Sequence, residues 1–196
     1  MPKDLCPDED RDLVARFNEG DARAFEQLVK KYQQTILNLV YHYIGSKNDI
    51  EDIAQTIFTK TYYSLAKFDN RRPFFPWLYR IAVNQCYDEL RRIKRQKTHT
   101  FSELNIEETS QIDKLVSRNE LPHEKEENQQ EMIELLNRVL DQLPEQQKMS
   151  IVLRDIEGVT YTVMAEIMQC SEQAARLKVF RARTRLKKIL LKALRA

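Results

Sequence analysis

The sequence predicts an all-α fold, two small helical domains joined by a flexible acidic linker. Three observations carry the prediction. Apolar residues recur at helical spacing through most of residues 8–97 and again through 131–196. The 196 residues include only three glycines and few runs rich in valine and threonine, which argues against a β protein. Between 98 and 130 the periodicity stops and acids predominate, dividing the chain into segments 1–97, 98–130 and 131–196.

Composition sets further bounds. A hydrophobic content of 42% is enough to fill packed cores. The net charge of +2 conceals a strong segregation of charge along the chain. Cys6, Cys86 and Cys170 are odd in number and far apart, so neither a disulfide framework nor a metal site is expected. The start, MPKDLCPDEDRDL, is too polar for a signal peptide, and no apolar run reaches the ~18 residues of a membrane span. A soluble, cytoplasmic chain without membrane insertion is expected.

The first segment reads as a short helix over 8–18 that ends near Gly20. Asp21 offers an N-cap to a long core helix with the stripe Phe25, Leu28, Val29, Tyr32, Ile36, Leu39, Val40 and Tyr43, closed by Gly45. Asn48 and Glu51 resemble a capping box for a third helix. Its buried face is expected to hold Ile50, Ile53, Ala54, Ile57, Phe58, Tyr62 and Leu65. Its polar face carries Asp49, Glu51, Asp52, Gln55 and Lys60, either a solvated surface or a docking face for a basic partner. KFDNRRPFF then reads as a loop, with Phe68, Phe74 and Phe75 outside any helix.

Arg71–Lys97 follows, RRPFFPWLYRIAVNQCYDELRRIKRQK. Pro76 suits a first helical turn. Trp77, Leu78, Ile81, Ala82, Gln85, Cys86, Leu90 and Ile93 fall at helical spacing, leaving Arg80, Asn84, Asp88, Arg91 and Arg92 for other faces. Cations beside exposed aromatics suit nucleic acid, since phosphates need positive charge and unstacked bases need an aromatic face.

After the acidic stretch, Met132, Leu135, Leu136, Val139, Leu140 and Leu143 form a helical stripe. Pro144 opens another helix, which Gly158 ends; Thr160 caps a short helix, and Ser171 caps a long one with stripe Ala175, Val179, Ala182, Leu186, Leu190 and Ala193. Two helices across a short turn, the second rich in cations, form a helix-turn-helix. After Glu172 that helix carries Arg176, Lys178, Arg181, Arg183, Arg185, Lys187 and Lys188 with no acid between them. Such single-signed charge favours a DNA-reading helix.

Four segments resemble extracytoplasmic-function (ECF) sigma factors of bacterial RNA polymerase. They are GDARAFEQLVKKYQ (20–33), DIEDIAQTIFTKTYYSL (49–65), FFPWLYRIAVNQCYDELRR (74–92), and 143–188, which begins LPEQQKMSIVLRDIEGVTYTVMAEIMQCS. The resemblance implies that the first domain is sigma region two. Asp49, Glu51, Asp52 and Gln55 then meet the clamp of the largest polymerase subunit. Phe68, Arg71, Arg72, Trp77, Arg80, Asn84, Arg91 and Arg92 take the −10 element as single strand, with a flipped base between Phe68 and Asn84. The last domain resembles sigma region four, placed against the flap of the second-largest subunit. Ser171, Arg176, Lys178, Phe180, Arg181 and Arg183 then read the −35 duplex, where arginine to guanine O6 and N7 is the commonest specific contact. Ala174, Ala175 and Leu177 depart from the family's Thr-Val-Lys/Arg-Ser-Arg pattern and remove two hydroxyls. The resemblance also implies an anti-sigma partner, and no cofactor, metal or catalytic residue.

Two other readings compete. A stand-alone helix-turn-helix regulator would leave the aromatic loop and Asn84 without a role. A helical enzyme acting on nucleic acid needs a catalytic constellation, and His42, His99 and His123 have no partners at such spacing.

Overall fold

The computed structural model describes residues 7–45, 50–100 and 136–193. Every regular element among them is helical. Helix α1 (Pro7–Asn18) runs into α2 (Ala22–Ile44) through a tight reversal. Gly20 adopts φ +100°, a region open to glycine at little cost. The Asp21 carboxylate accepts from the Arg23 N–H at 3.0 Å, capping α2, and from Arg16 at 2.7 Å, tying the end of α1 to that cap. Asp10 is buried on α1 and accepts from the Tyr32 hydroxyl at 2.5 Å and the Lys31 ammonium at 2.7 Å. The α2 stripe is buried as expected at Leu28, Tyr32, Ile36, Leu39, Val40 and Tyr43.

Helix α3 (Ile50–Leu65) buries Ile53, Ala54, Ile57 and Leu65, but Tyr62 is 43% exposed and Thr61 takes the buried place beside it. Thr61 is tolerated there because its hydroxyl donates to the Ile57 carbonyl at 2.8 Å. Asn48 and Asp49, with the expected capping box, lie outside the described residues. Helix α4 (Phe74–Thr100) begins earlier than its apolar spacing suggests. Phe74 and Phe75 are its first residues and are buried against Tyr32, not held in a loop. Leu78, Ala82 and Cys86 are buried as expected, and so are Tyr79 and Val83. The wider buried arc has a cause in the second half of the chain, which packs along α4.

That half comprises α5 (136–141), α6 (Glu145–Ile151), a π-helical turn (Val152–Ile156), α7 (Tyr161–Ile167) and α8 (Glu172–Ala193). Gly158 at φ +67° ends the π turn. Thr160 accepts from the Val163 N–H at 3.3 Å and Ser171 from the Ala174 N–H at 3.1 Å, so both expected N-caps form. Ala175, Val179 and Ala182 of α8 are buried. Leu190, expected in the same stripe, is 42% exposed.

One apolar core runs through both halves. Met149, Val152, Leu153, Val159, Met164 and Ile167 join the cluster that contains Tyr43, Leu78, Tyr79 and Cys86. A smaller cluster of Leu140, Leu143, Ile151 and Ala182 knits α5, α6 and α8 together. Polar contacts reinforce the junction. The Tyr43 hydroxyl donates to the Glu145 carbonyl at 3.4 Å, and the Glu145 carboxylate meets Lys94 at 3.0 Å and Arg91 at 3.8 Å. Lys148 is 2% exposed, with its ammonium 5.3 Å from the Tyr43 ring centroid and 2.6 Å from Asp141.

Candidate nucleic-acid interface

The packing of the two halves creates a cleft of about 970 Å³. Phe68, Arg72, Trp77 and Arg80 line one wall, and Glu166, Cys170 and Ser171 line the other. The first wall is built by the turn before α4 and its opening residues. Phe68 is 8% exposed, its ring centroid 4.7 Å from that of Trp77 and 5.9 Å from that of Phe74. It is a nearly buried part of that wall rather than a projecting platform. Asn84 is exposed one turn beyond Arg80 on α4 and is not part of the cleft lining. The structure therefore brings Phe68, Arg72, Trp77, Arg80 and Ser171 together and leaves Asn84 apart.

Arg71, Arg72, Arg91 and Arg92 are all paired with carboxylates. Asp69 accepts from Arg71 at 2.9 and 3.0 Å and lies 3.9 Å from Arg72. Arg71 holds the Asp69 carboxyl well below the usual range, at about 2. Arg92 pairs with the buried Glu89, and Arg91 with Glu145. Asp69 and Glu145 supply the carboxylates for most of these pairs. The first sits two residues before Arg71, a readable spacing; the second reaches Arg91 and Lys94 only through the fold.

The second basic surface is α8. Arg176, Arg181 and Arg183 are exposed, Lys178 is half-buried, and Phe180 is 67% exposed. The helix reads as single-signed in sequence, yet acids flank it in space. Arg176 pairs with Glu172 at 2.5 Å, and Arg183 with Asp155 of the π turn at 2.5 Å. Phe180, Arg181, Thr184 and Lys188 line a shallow groove of about 510 Å³ beside α6.

On α3, Glu51, Asp52 and Gln55 are exposed together on one face, and Asp49 lies outside the described residues. No group of three or more His, Cys, Asp or Glu among the described residues could hold a metal ion. His42 is half-buried, and burial lowers its pKa. Burial pushes the Cys86 thiol up to about 12. No helix among the described residues is long and apolar enough to cross a membrane.

Comparison with known proteins agrees with this architecture. Residues 28–96 match the family model for Sigma-70 region 2, and residues 133–186 that for Sigma-70, region 4. The RNA polymerase sigma-H factor of Pseudomonas aeruginosa is 34% identical over 193 residues, covering 97% of this chain and 98% of the relative. The ECF RNA polymerase sigma-E factor of Haemophilus influenzae is 37% identical over 177 residues, covering 89% and 91%. The sigma factor RpoE, solved in complex with the anti-sigma factor NepR from Bartonella quintana, superimposes with a TM-score of 0.60. At 18% identity, covering 86% of this chain and 98% of that one, this likeness speaks for the fold. Two region-specific matches in order, on a two-part helical fold that carries both basic surfaces, place the chain in the ECF family of RNA polymerase sigma factors.

Proposed function

We propose that this chain binds core RNA polymerase and directs initiation at promoters whose −35 element α8 reads as duplex and whose −10 element α4 captures as single strand. The observation that carries the reading is the cleft under α4. One wall of it combines the aromatics Phe68 and Trp77 with Arg72 and Arg80, the residue types that hold a splayed base and its backbone. A stand-alone helix-turn-helix regulator would have no use for it. Segments 1–97 and 131–196 divide the two tasks, and 98–130 tethers them. Glu51, Asp52, Gln55 and Asp49 serve the polymerase clamp, and the last domain lies against the flap. Arg176, Lys178, Phe180, Arg181, Arg183 and Ser171 serve the −35 duplex. Arg71, Arg72, Arg91 and Arg92 pass from their carboxylates to phosphate when DNA arrives, since phosphate and carboxylate offer arginine the same paired acceptors.

The reading includes an anti-sigma protein that competes with polymerase for this chain, in keeping with the complex in which the Bartonella quintana relative was solved. The deciding experiment is transcription in vitro with core polymerase on a genomic promoter library. Promoter-specific transcripts dependent on this protein are expected, and their absence would refute the proposal. Within it, Asn84→Ala is expected to impair promoter opening and leave core binding nearly intact. An equal loss of core affinity would remove Asn84 from the −10 set.

A further inference from the structure

Arg176 is held before any DNA is present. Its Nη2 donates to Glu172 Oε1 at 2.5 Å, one helical turn back. Its guanidinium carbon lies 4.5 Å from the centroid of the Tyr161 ring. Each of these two holders is itself fixed. The Thr162 hydroxyl donates to Glu172 Oε2 at 3.0 Å. The Arg154 guanidinium carbon lies 4.5 Å from the same Tyr161 ring, and Arg154 Nη1 donates to the Val159 carbonyl at 2.9 Å. Two side chains therefore hold Arg176, Tyr161 of α7 and Glu172 of its own helix, and Arg154 of the π turn and Thr162 of α7 hold those two in turn.

An arginine on a long flexible stem reaches phosphate oxygens as readily as a base edge, and a phosphate contact carries no sequence information. Ordering the guanidinium in advance removes that choice and lowers the ordering cost at the moment of binding. One of its five N–H donors goes to Glu172, which leaves the rest of the fork for a planar acceptor pair. Ala174 and Leu177 offer no hydroxyl to share the reading, so a larger part of it falls on this guanidinium.

We infer that Glu172 and Tyr161 are specificity-determining positioning residues, which orient Arg176 toward the O6/N7 edge of a guanine in the major groove and keep it off the phosphates. The inference rests on the reading of α8 as the −35 helix. It predicts that loosening Arg176 converts a base contact into a backbone contact, trading selectivity for salt-sensitive, sequence-blind affinity.

The test uses holoenzyme reconstituted from the full chain and core polymerase, with promoters in which each −35 base pair is varied in turn. Arg176→Ala first identifies the base pair that Arg176 reads. Glu172→Ala and Tyr161→Leu are each expected to lower discrimination at that pair by about five- to tenfold, within the range of one bidentate contact. Tyr161→Leu leaves the net charge unchanged, so its effect cannot come from removal of a repelling carboxylate. In that variant the slope of log affinity against log salt is expected to steepen by about 0.9, the signature of one added phosphate contact. Tyr161→Phe keeps the ring and is expected to behave as wild type. Retained discrimination in both Glu172→Ala and Tyr161→Leu overturns the inference, as does a uniform rise in affinity confined to Glu172→Ala. If wild-type holoenzyme shows no base preference at −35, it is the reading of α8 that fails. If wild type discriminates and the variants do too, that reading stands and only the positioning role falls.

Discussion

Asp10 and Lys148 are both buried ionisable residues, and their surroundings predict opposite responses to mutation. Asp10 is the acceptor for a buried tyrosine hydroxyl and for Lys31, whose side chain is 12% exposed. Asp10→Ala strands both donors and is expected to cost about 2–4 kcal/mol in urea denaturation. Lys148 is 2% exposed, but its partner Asp141 is 58% exposed and can turn to water. Lys148→Met, close in volume, is therefore expected to change stability by less than about 1 kcal/mol or to raise it. Asp141→Ala leaves the ammonium buried with only the Tyr43 ring, and is expected to cost about 2–3 kcal/mol. Neither burial was legible in the sequence. Lys148 follows Glu145, Gln146 and Gln147 and reads there as a surface cation; its burial comes from Tyr43, about a hundred residues away. Asp21, Thr160 and Ser171 were legible because a cap is decided within three residues.

The same distinction governs the elements. Helix α2 follows its apolar stripe, and α8 does so as far as Ala182, because each buries mainly one face there. Helix α4 does not, because it is packed from two sides: Leu78, Ala82 and Cys86 lie at the expected spacing, whereas Tyr79 and Val83 widen the arc. A single-face template misses the second face of such a helix. Phe74 and Phe75 look like loop in the sequence for a related reason, since the proline after them masks a helix start that tertiary burial supplies. The π turn left no mark in the sequence beyond its proximity to Gly158, yet it carries both Arg154 and Asp155 to partners at α7 and α8. Thr160→Ala removes the cap that starts α7. A loss of about 1 kcal/mol in thermal or denaturant unfolding is expected.

For the molecule as a whole, the junction between halves carries a pH dependence. Glu157, just after the π turn, is raised to about 7 by burial, and its charge acts on the buried Tyr79 hydroxyl of α4. An acid with a raised folded-state pKa holds its proton longer when folded than when unfolded. Stability is therefore expected to fall as pH rises from about 4.5 to about 7 and to level off above that. Glu157→Gln should flatten this interval in melting temperatures taken at pH 5, 6, 7 and 8; an unchanged slope would assign it to other groups. The sequence divides the chain into two halves but says nothing of how they meet, because that junction rests on pairs such as Tyr43 with Glu145 that no local pattern encodes. The shared core has a consequence for any affinity measurement. A partner that engages the halves only when they are apart must first expose Met149, Val152 and Leu153 together with their partners across the junction. Its apparent dissociation constant is then the intrinsic one divided by the open fraction, so with one molecule in a hundred open it weakens about a hundredfold. Affinity for such a partner thus doubles as a thermometer of the closed state, and core substitutions far from either basic surface shift it without touching a contact.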